Sequence, residues 1–416
     1  MTTHRRLTAA HSAVATLGVA IGAWFVSAGA AHAQSYGVEF HNTLLPVSGA
    51  MGGASIARPQ DHLSAINGNP ATLAAFKGTQ FTFGGAWAEA TYNITQLDPL
   101  PLVGVDPYSA KSGTPGAAAG NIGVAQELDA MGMPATFGLG FFTNAGAGVD
   151  FRDVPESNGT SAEYLALDIT PALGLQLTDS LSVGAAFTLG TSFLDGPFTD
   201  TGGMTGAYGI RGTLGMSYAL SDATWVGAYW QTKKHFHFED AALLQNGQTF
   251  DVRLDHPENI GLGFADESLM DGRLLLAMDV LYKQYGNADF FESIYKNQWV
   301  YQFGAQYKVN TKFKLRAGYS YNENPMRGPG ITSIGGVPVP DGVPGLRYIQ
   351  GQFAAIGQHH ITGGVGIADV LPGVEMDLLM GGMFNQSEQF ASTIASVESY
   401  WVGSYLTWRF GSNAAK

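Results

Sequence analysis

The sequence predicts an all-β fold: a 14-stranded antiparallel transmembrane β-barrel. Three observations predict it. Apolar residues alternate with small or polar ones from residue 79 onward, many of the alternating segments run beyond ten residues, and the connections between them are short and long in turn. Composition agrees: 13% of residues are charged, against about 25% in soluble domains, and 56 of 416 are glycine. So little charge makes a poor water-facing surface. A bundle of membrane helices would push the mean hydropathy far above the observed +0.03. An ordinary cytosolic enzyme and a multi-helix membrane protein are both excluded.

In chain order, His4-Arg5-Arg6 is a short basic stretch, Leu7–Ala30 is apolar, and Ala31-His32-Ala33 forms an A-x-A cleavage site before Gln34. Residues 1–33 therefore read as a signal peptide. The net charge of −13 becomes 19 basic against 34 acidic residues without it, which argues against a nucleic-acid partner. There is no cysteine, so disulfides, thiolate metal sites and cysteine nucleophiles are excluded.

Residues 34–78 lack the two-residue rhythm. Gly49, Gly52 and Gly53 permit close backbone approaches, and a short helix from Asp61 ends near Asn69-Pro70. Placed before a barrel, this segment is either a plug in the lumen or a periplasmic tail.

Fourteen strands follow, at about 80–92, 120–129, 134–144, 162–176, 181–192, 207–219, 224–239, 249–264, 273–286, 296–308, 312–323, 358–368, 374–386 and 398–410. Membrane strands need about 9–11 residues, where soluble ones average five or six. Short turns such as Thr178–Ser180 and Val309–Thr311 alternate with long loops at Asn93–Ala119, 146–161, Phe193–Gly206 and Asn324–Gly357. In hydrocarbon every amide must be paired, so the sheet must close on itself. Tyr208, Ile210, Leu214 and Met216 form one outward row; Arg211, Lys233, Arg253, Arg316 and Asp279 face inward by the same parity. The barrel spans 79–410, and 411–416 is a tail.

The run Gly49-Ala50-Met51-Gly52-Gly53-Ala54-Ser55-Ile56-Ala57, then Asp61, Ser64-Ala65 and Asn69-Pro70-Ala71, resembles the N-terminal hatch of the FadL/TodX family of outer-membrane transporters for long-chain fatty acids and other hydrophobic compounds. Residues 225–240, His256-Pro257-Glu258 and Leu315–Met326 resemble later parts of that family. Arg58-Pro59 departs from it by adding bulk and charge to the hatch, and the tail departs by continuing past Phe410.

The resemblance implies a hatch over 34–78 within the lumen, with Asn69, Pro70, Ala71, Gly52 and Gly53 as its gating elements. It implies passive uptake of a hydrophobic molecule, foremost a long-chain fatty acid, with an aromatic hydrocarbon as alternative. Lys296, Arg316 and Arg211 are the candidates for a ligand carboxylate. It also implies an outer-membrane location, contact with lipid and lipopolysaccharide, insertion by the barrel-assembly machinery, and a monomer.

No cofactor and no metal is expected. His235 and His237 share a strand face and His359-His360 point to opposite faces, but neither pair has a third ligand at a suitable spacing. No G-x-S-x-G nucleophile turn is present, so no catalytic residue is assigned. A general diffusion porin and a barrel that moves nothing stand as the competing functions.

Overall fold

The computed structural model describes residues 38–130, 132–196, 204–243, 247–328 and 333–410. The expected signal peptide, the first residues of the 34–78 segment, much of the Phe193–Gly206 loop and the tail lie outside them.

Fourteen antiparallel strands succeed one another around a single closed sheet, and a fifteenth short strand, Tyr108–Lys111, pairs only with the end of the first. They are β1 (Thr79–Gln96), β2 (Ala117–Ala130), β3 (Met133–Asp150), β4 (Ser161–Gln176), β5 (Leu181–Asp195), β6 (Thr205–Ser221) and β7 (Thr224–Gln231), then β8 (Asn259–Leu269), β9 (Leu274–Lys283), β10 (Gln298–Lys308), β11 (Phe313–Asn322), β12 (His359–Leu371), β13 (Val374–Phe390) and β14 (Thr393–Phe410). β14 pairs with β1 over its whole length, from Thr79↔Phe410 to Gln96↔Thr393, which closes the ring.

Outward parity carries the apolar belt. Tyr208 is 75% exposed and Ile210 60%, with Leu214 and Met216 in the same row. Phe81, Phe83 and Trp408 cluster near the turn-side rim, with the Phe83 and Trp408 rings stacked at 5.5 Å. Among the described residues no helix is long and apolar enough to cross a membrane; the strands make the crossing.

The wall is not equally tall all round. β1 and β14 have 18 residues each, whereas β7 has eight and β9 and β11 ten. Two expected strands, 224–239 and 249–264, are each broken in the middle. The wall keeps their turn-side halves, and the other halves form a separate hairpin, Lys234–Leu243 with Thr249–His256. Pro257, which has no N–H for a ladder, stands at the second break. Phe236, Phe238 and Leu254 of the hairpin are buried in the lumen.

The breaks also overturn two parity assignments. Lys233 is half-buried and donates to the Asn287 carbonyl at 2.6 Å, and Arg253 is exposed beside Asp289. Lys234, the next residue, is buried instead. A further difference lies at 146–161, expected as loop: β3 continues to Asp150 through a bulge at Thr143/Ala145. The long loop 324–357 contains a helix, Val343–Gln352, whose Leu346, Tyr348 and Ile349 are buried with Tyr92, Tyr295 and Phe353 in the loop-side half of the lumen.

Residues 38–78 lie inside the turn-side half of the barrel. One 3-10 turn, Gly49–Met51, packs on β10–β13, and another, Pro70–Ala75, packs on β3–β6 across the lumen. Between them runs a short helix, His62–Asn67, capped by the Asp61 carboxylate accepting from Ser64 N at 2.7 Å.

The wall makes room for this segment with glycine. Ten strands present one at contact distance: Gly123, Gly138, Gly174, Gly184, Gly215, Gly227, Gly263, Gly304, Gly318 and Gly364. A Cβ on Gly318 would stand 2.0 Å from Gly52 N, and one on Gly184 2.4 Å from Ala71 N. Much of the glycine excess is thus a seat for the plug.

Candidate functional site

Three sets of contacts hold the plug. Asn69, fully buried, donates from Nδ2 to Ile56 O and to Met216 O of β6, both at 2.9 Å, while its Oδ1 accepts from Ala71 N at 3.2 Å. The amide therefore ties two parts of the plug to each other and to the wall. Three strands along the wall, Asp279 of β9 accepts the Ser55 and Ile56 amides at 2.6 and 2.9 Å. Gly52 has φ +69°, a left-handed backbone that favours glycine, and its N–H donates to Thr362 Oγ1 at 2.9 Å. Replacing Asn69 with alanine leaves the Ile56 and Met216 carbonyls without these donors. The expected cost is about 1–3 kcal/mol, read as a lower unfolding midpoint of the detergent-solubilised protein.

The third set is a buried charge network at the start of the plug. Glu39 accepts from Arg211 Nη1 at 2.7 Å, lies 3.1 Å from His256 Nδ1, and has Lys283 Nζ at 3.8 Å. Arg211 also donates to Thr232 O at 2.8 Å and Pro257 O at 2.7 Å. Those two carbonyls belong to the points where the hairpin leaves the wall, so one guanidinium joins the plug to both breaks. Beside it, Lys234 donates to Asp168 at 2.5 and 2.7 Å, and Asp168 also accepts from Asn144 in the β3 bulge.

That bulge borders an interruption in the wall. The β2–β3 ladder ends at Asn121↔Phe142. Beyond it β2 continues as Ala117–Gly120 and β3 as residues 143–150, and no ladder pair joins them among the described residues. The free edge of β3 turns to the plug instead: Phe40 N donates to Asn144 O at 2.8 Å and Gly146 N to Val38 O at 3.1 Å. At the two ends of the interruption Thr143 Oγ1 donates to Gly120 O at 3.1 Å and Gly113 N to Asp150 O at 2.7 Å; between them the facing edges, Ala117–Gly120 and Ala145–Val149, contain only alanine, glycine and valine. Loop-side of the plug the lumen is apolar and aromatic, with Tyr285, Phe291 and Tyr295 in mutual ring contact and Tyr295 donating to Phe353 O.

The three cations expected to receive a carboxylate do not converge. Arg211 meets Glu39; Arg316 donates to Asp377 at 2.6 Å and to Gln306 at 2.7 Å near the turn side; Lys296 is half-exposed and pairs with Glu323 at 3.1 Å outside the wall strands. Each already has a protein carboxylate. Of the network residues, Glu39, Asp168, Lys234 and Lys283 were not singled out from sequence, and His256 was named only within the His256-Pro257-Glu258 resemblance. His256-Pro257 carried a local sign, a proline within an alternating run, but Glu39 lies more than a hundred residues from its wall partners.

His235 and His237 each face an aspartate of the hairpin partner strand, Asp255 at 2.8 Å and Asp251 at 3.2 Å. His359 contacts Tyr319 Oη at 2.7 Å on the outer face, and His360 is buried on the inner one.

This architecture has solved counterparts. The toluene transporter TodX of Pseudomonas putida aligns over 91% of this chain and 100% of its own with a TM-score of 0.65 at 19% identity. The chain shares the FadL-type fold. A FadL homologue of Pseudomonas aeruginosa covers 92% of this chain and 100% of its own, with a TM-score of 0.64 and 14% identity. Outer membrane protein P1 of Haemophilus influenzae is 24% identical over 378 residues, 73% of this chain and 80% of that protein. No protein-family profile matches the chain.

Proposed function

We propose that this protein is a passive outer-membrane channel for hydrophobic molecules, which enter the aromatic loop-side lumen and leave sideways between β2 and β3. The observation that supports this most is the interrupted β2–β3 ladder, bordered by small apolar residues and held by the plug itself. A polar solute has no use for an exit into lipid. A greasy one does, because each methylene moved from water contributes about 0.8 kcal/mol. The concentration gradient suffices as driving force. Relatives described as a toluene transporter and as a FadL homologue support the cargo class. Fatty acids and aromatic hydrocarbons both fit it, and an acid additionally requires a cation with spare donors.

The test is uptake of labelled toluene and oleate by cells with and without the gene. Faster uptake of at least one is expected, and equal rates for both overturn the proposal. The exit route has its own check in a chain without cysteine. Ala118→Cys labelled with a bulky maleimide will slow uptake, whereas the same label on Asp222→Cys in a turn will leave it unchanged. If blocking residue 118 has no effect, the cargo does not leave there.

A further inference from the structure

Arg58-Pro59, the charged and bulky step in an otherwise small-residue run, lies outside the three sets of contacts described above. Arg58 instead lies over Trp225 of β7, its guanidinium carbon 4.3 Å from the ring centroid. Stacking uses the flat face of the guanidinium and leaves its N–H edge free for in-plane hydrogen bonds. The Nε atom is buried and has no hydrogen-bond partner among the described residues. In contrast, Arg211, Lys234 and Arg316 are each answered by a buried carboxylate.

Arg58 and Trp225 line a cavity of about 230 Å³ on the turn side of the plug. Ala57, Ala71 and Thr72 of the plug border it, and Ser182 and Ser217 supply wall hydroxyls. Lys77 is also in the lining, shared with Glu127 at 3.7 Å, and the exposed Asp179 stands at the turn where the cavity meets solvent. The site combines a desolvated cation, a second cation, hydroxyl groups and an indole face. Such a set suits a molecule with one anionic and one apolar end.

We propose that this cavity binds the carboxylate head of an amphipathic organic acid, with Arg58 as the anion ligand and Trp225 as the apolar platform. A buried donor without a partner is destabilising, and a carboxylate answers it with a charge-assisted bond. The cavity touches Ala57, which follows Ile56, and Ala71, whose N–H donates to Asn69 Oδ1; the Asn69–Ile56 hydrogen bond ties the plug together. A bound acid therefore lies against this internal tie of the plug. It occupies the periplasmic side of the channel, opposite the loop-side lumen where cargo is captured. The inference rests on the channel reading for its place in transport, but the binding itself can be measured without it.

The experiment uses the full chain purified in detergent, titrated calorimetrically with decanoate, with decanol as the neutral isostere, and with inorganic phosphate. Decanoate is expected to bind about tenfold more tightly than decanol. In Arg58→Gln the two will fall within about twofold of each other, while Arg58→Lys, which keeps the charge but not the stacked fork, will retain part of the preference. Trp225→Leu will weaken both ligands. Heat-modified gel mobility confirms that each variant is a folded barrel. Equal affinities in the unaltered protein, an undiminished preference in Arg58→Gln, or displacement of decanoate by equimolar phosphate would each overturn the proposal. Toluene uptake with and without the unaltered chain tests the channel reading separately, so either can fail alone.

Discussion

Gly318→Val will unseat the plug while leaving the barrel closed. At this position any Cβ would stand 2.0 Å from Gly52 N and 2.2 Å from Met51 C, both plug backbone atoms that no rotamer change can move aside. Gly52 cannot yield locally, since its left-handed φ of +69° and its bond to Thr362 hold it against β10 and β11. Overpacking of this kind costs about 1–3 kcal/mol. The wall ladder around Gly318 is intact on both sides, with Gly304 and Thr362 as its partners, so the relief comes from the plug. Planar-bilayer recordings are expected to show a closed parent protein and frequent ion-conducting openings in Gly318→Val. Gly184→Val, across the lumen beneath Ala71, will do the same. Silent recordings from both variants would mean that the plug does not seal the lumen.

The second large effect belongs to Glu39 and Arg211. Both are almost fully buried, with side chains 2% and 3% exposed. Replacing Arg211 with methionine removes the donor to Glu39 and to the carbonyls at both wall breaks. Replacing Glu39 with glutamine removes the carboxylate that Arg211 and Lys283 share. Breaking a buried pair by removing one partner costs about 3–5 kcal/mol, more than most surface changes by an order of magnitude. Each single variant will lower the denaturant midpoint and free the N-terminal segment for proteolysis near Glu39. Arg211→Met combined with Glu39→Leu will be less damaged than the sum, because neither charge is then left alone. Strict additivity would show that the two side chains act independently.

The barrel was legible because its rules are local. Leu214, Met216 and Tyr218 alternate with Thr213, Gly215 and Ser217, and that pattern alone assigns an outer and an inner face to β6. Where a break intervened, the same reasoning failed by one residue: Lys233 was expected inside and Lys234 is there, because the chain leaves the wall at Thr232–Lys233. The plug motif was visible in its glycines and in Asn69-Pro70-Ala71, but its seat was not, since the matching glycines are scattered over ten strands.

The candidate carboxylate ligands show the same division. Parity put Arg211 and Arg316 inside, and both are buried there. It could not say that Glu39 and Asp377 already occupy them, since those partners are 172 and 61 residues away. Arg58 was noticeable only as a departure from a pattern; its stack on Trp225 and its cavity depend on a strand more than 160 residues later.

Strand faces, strand number and the solvent that the chain is built for follow from nearest-neighbour chemistry, which any stretch of a dozen residues displays. Which cations are neutralised, where the β2–β3 ladder stops and which backbone the wall glycines admit follow from contacts made only when distant segments meet inside a closed ring. Closure brings those segments together, and no local pattern records who meets whom.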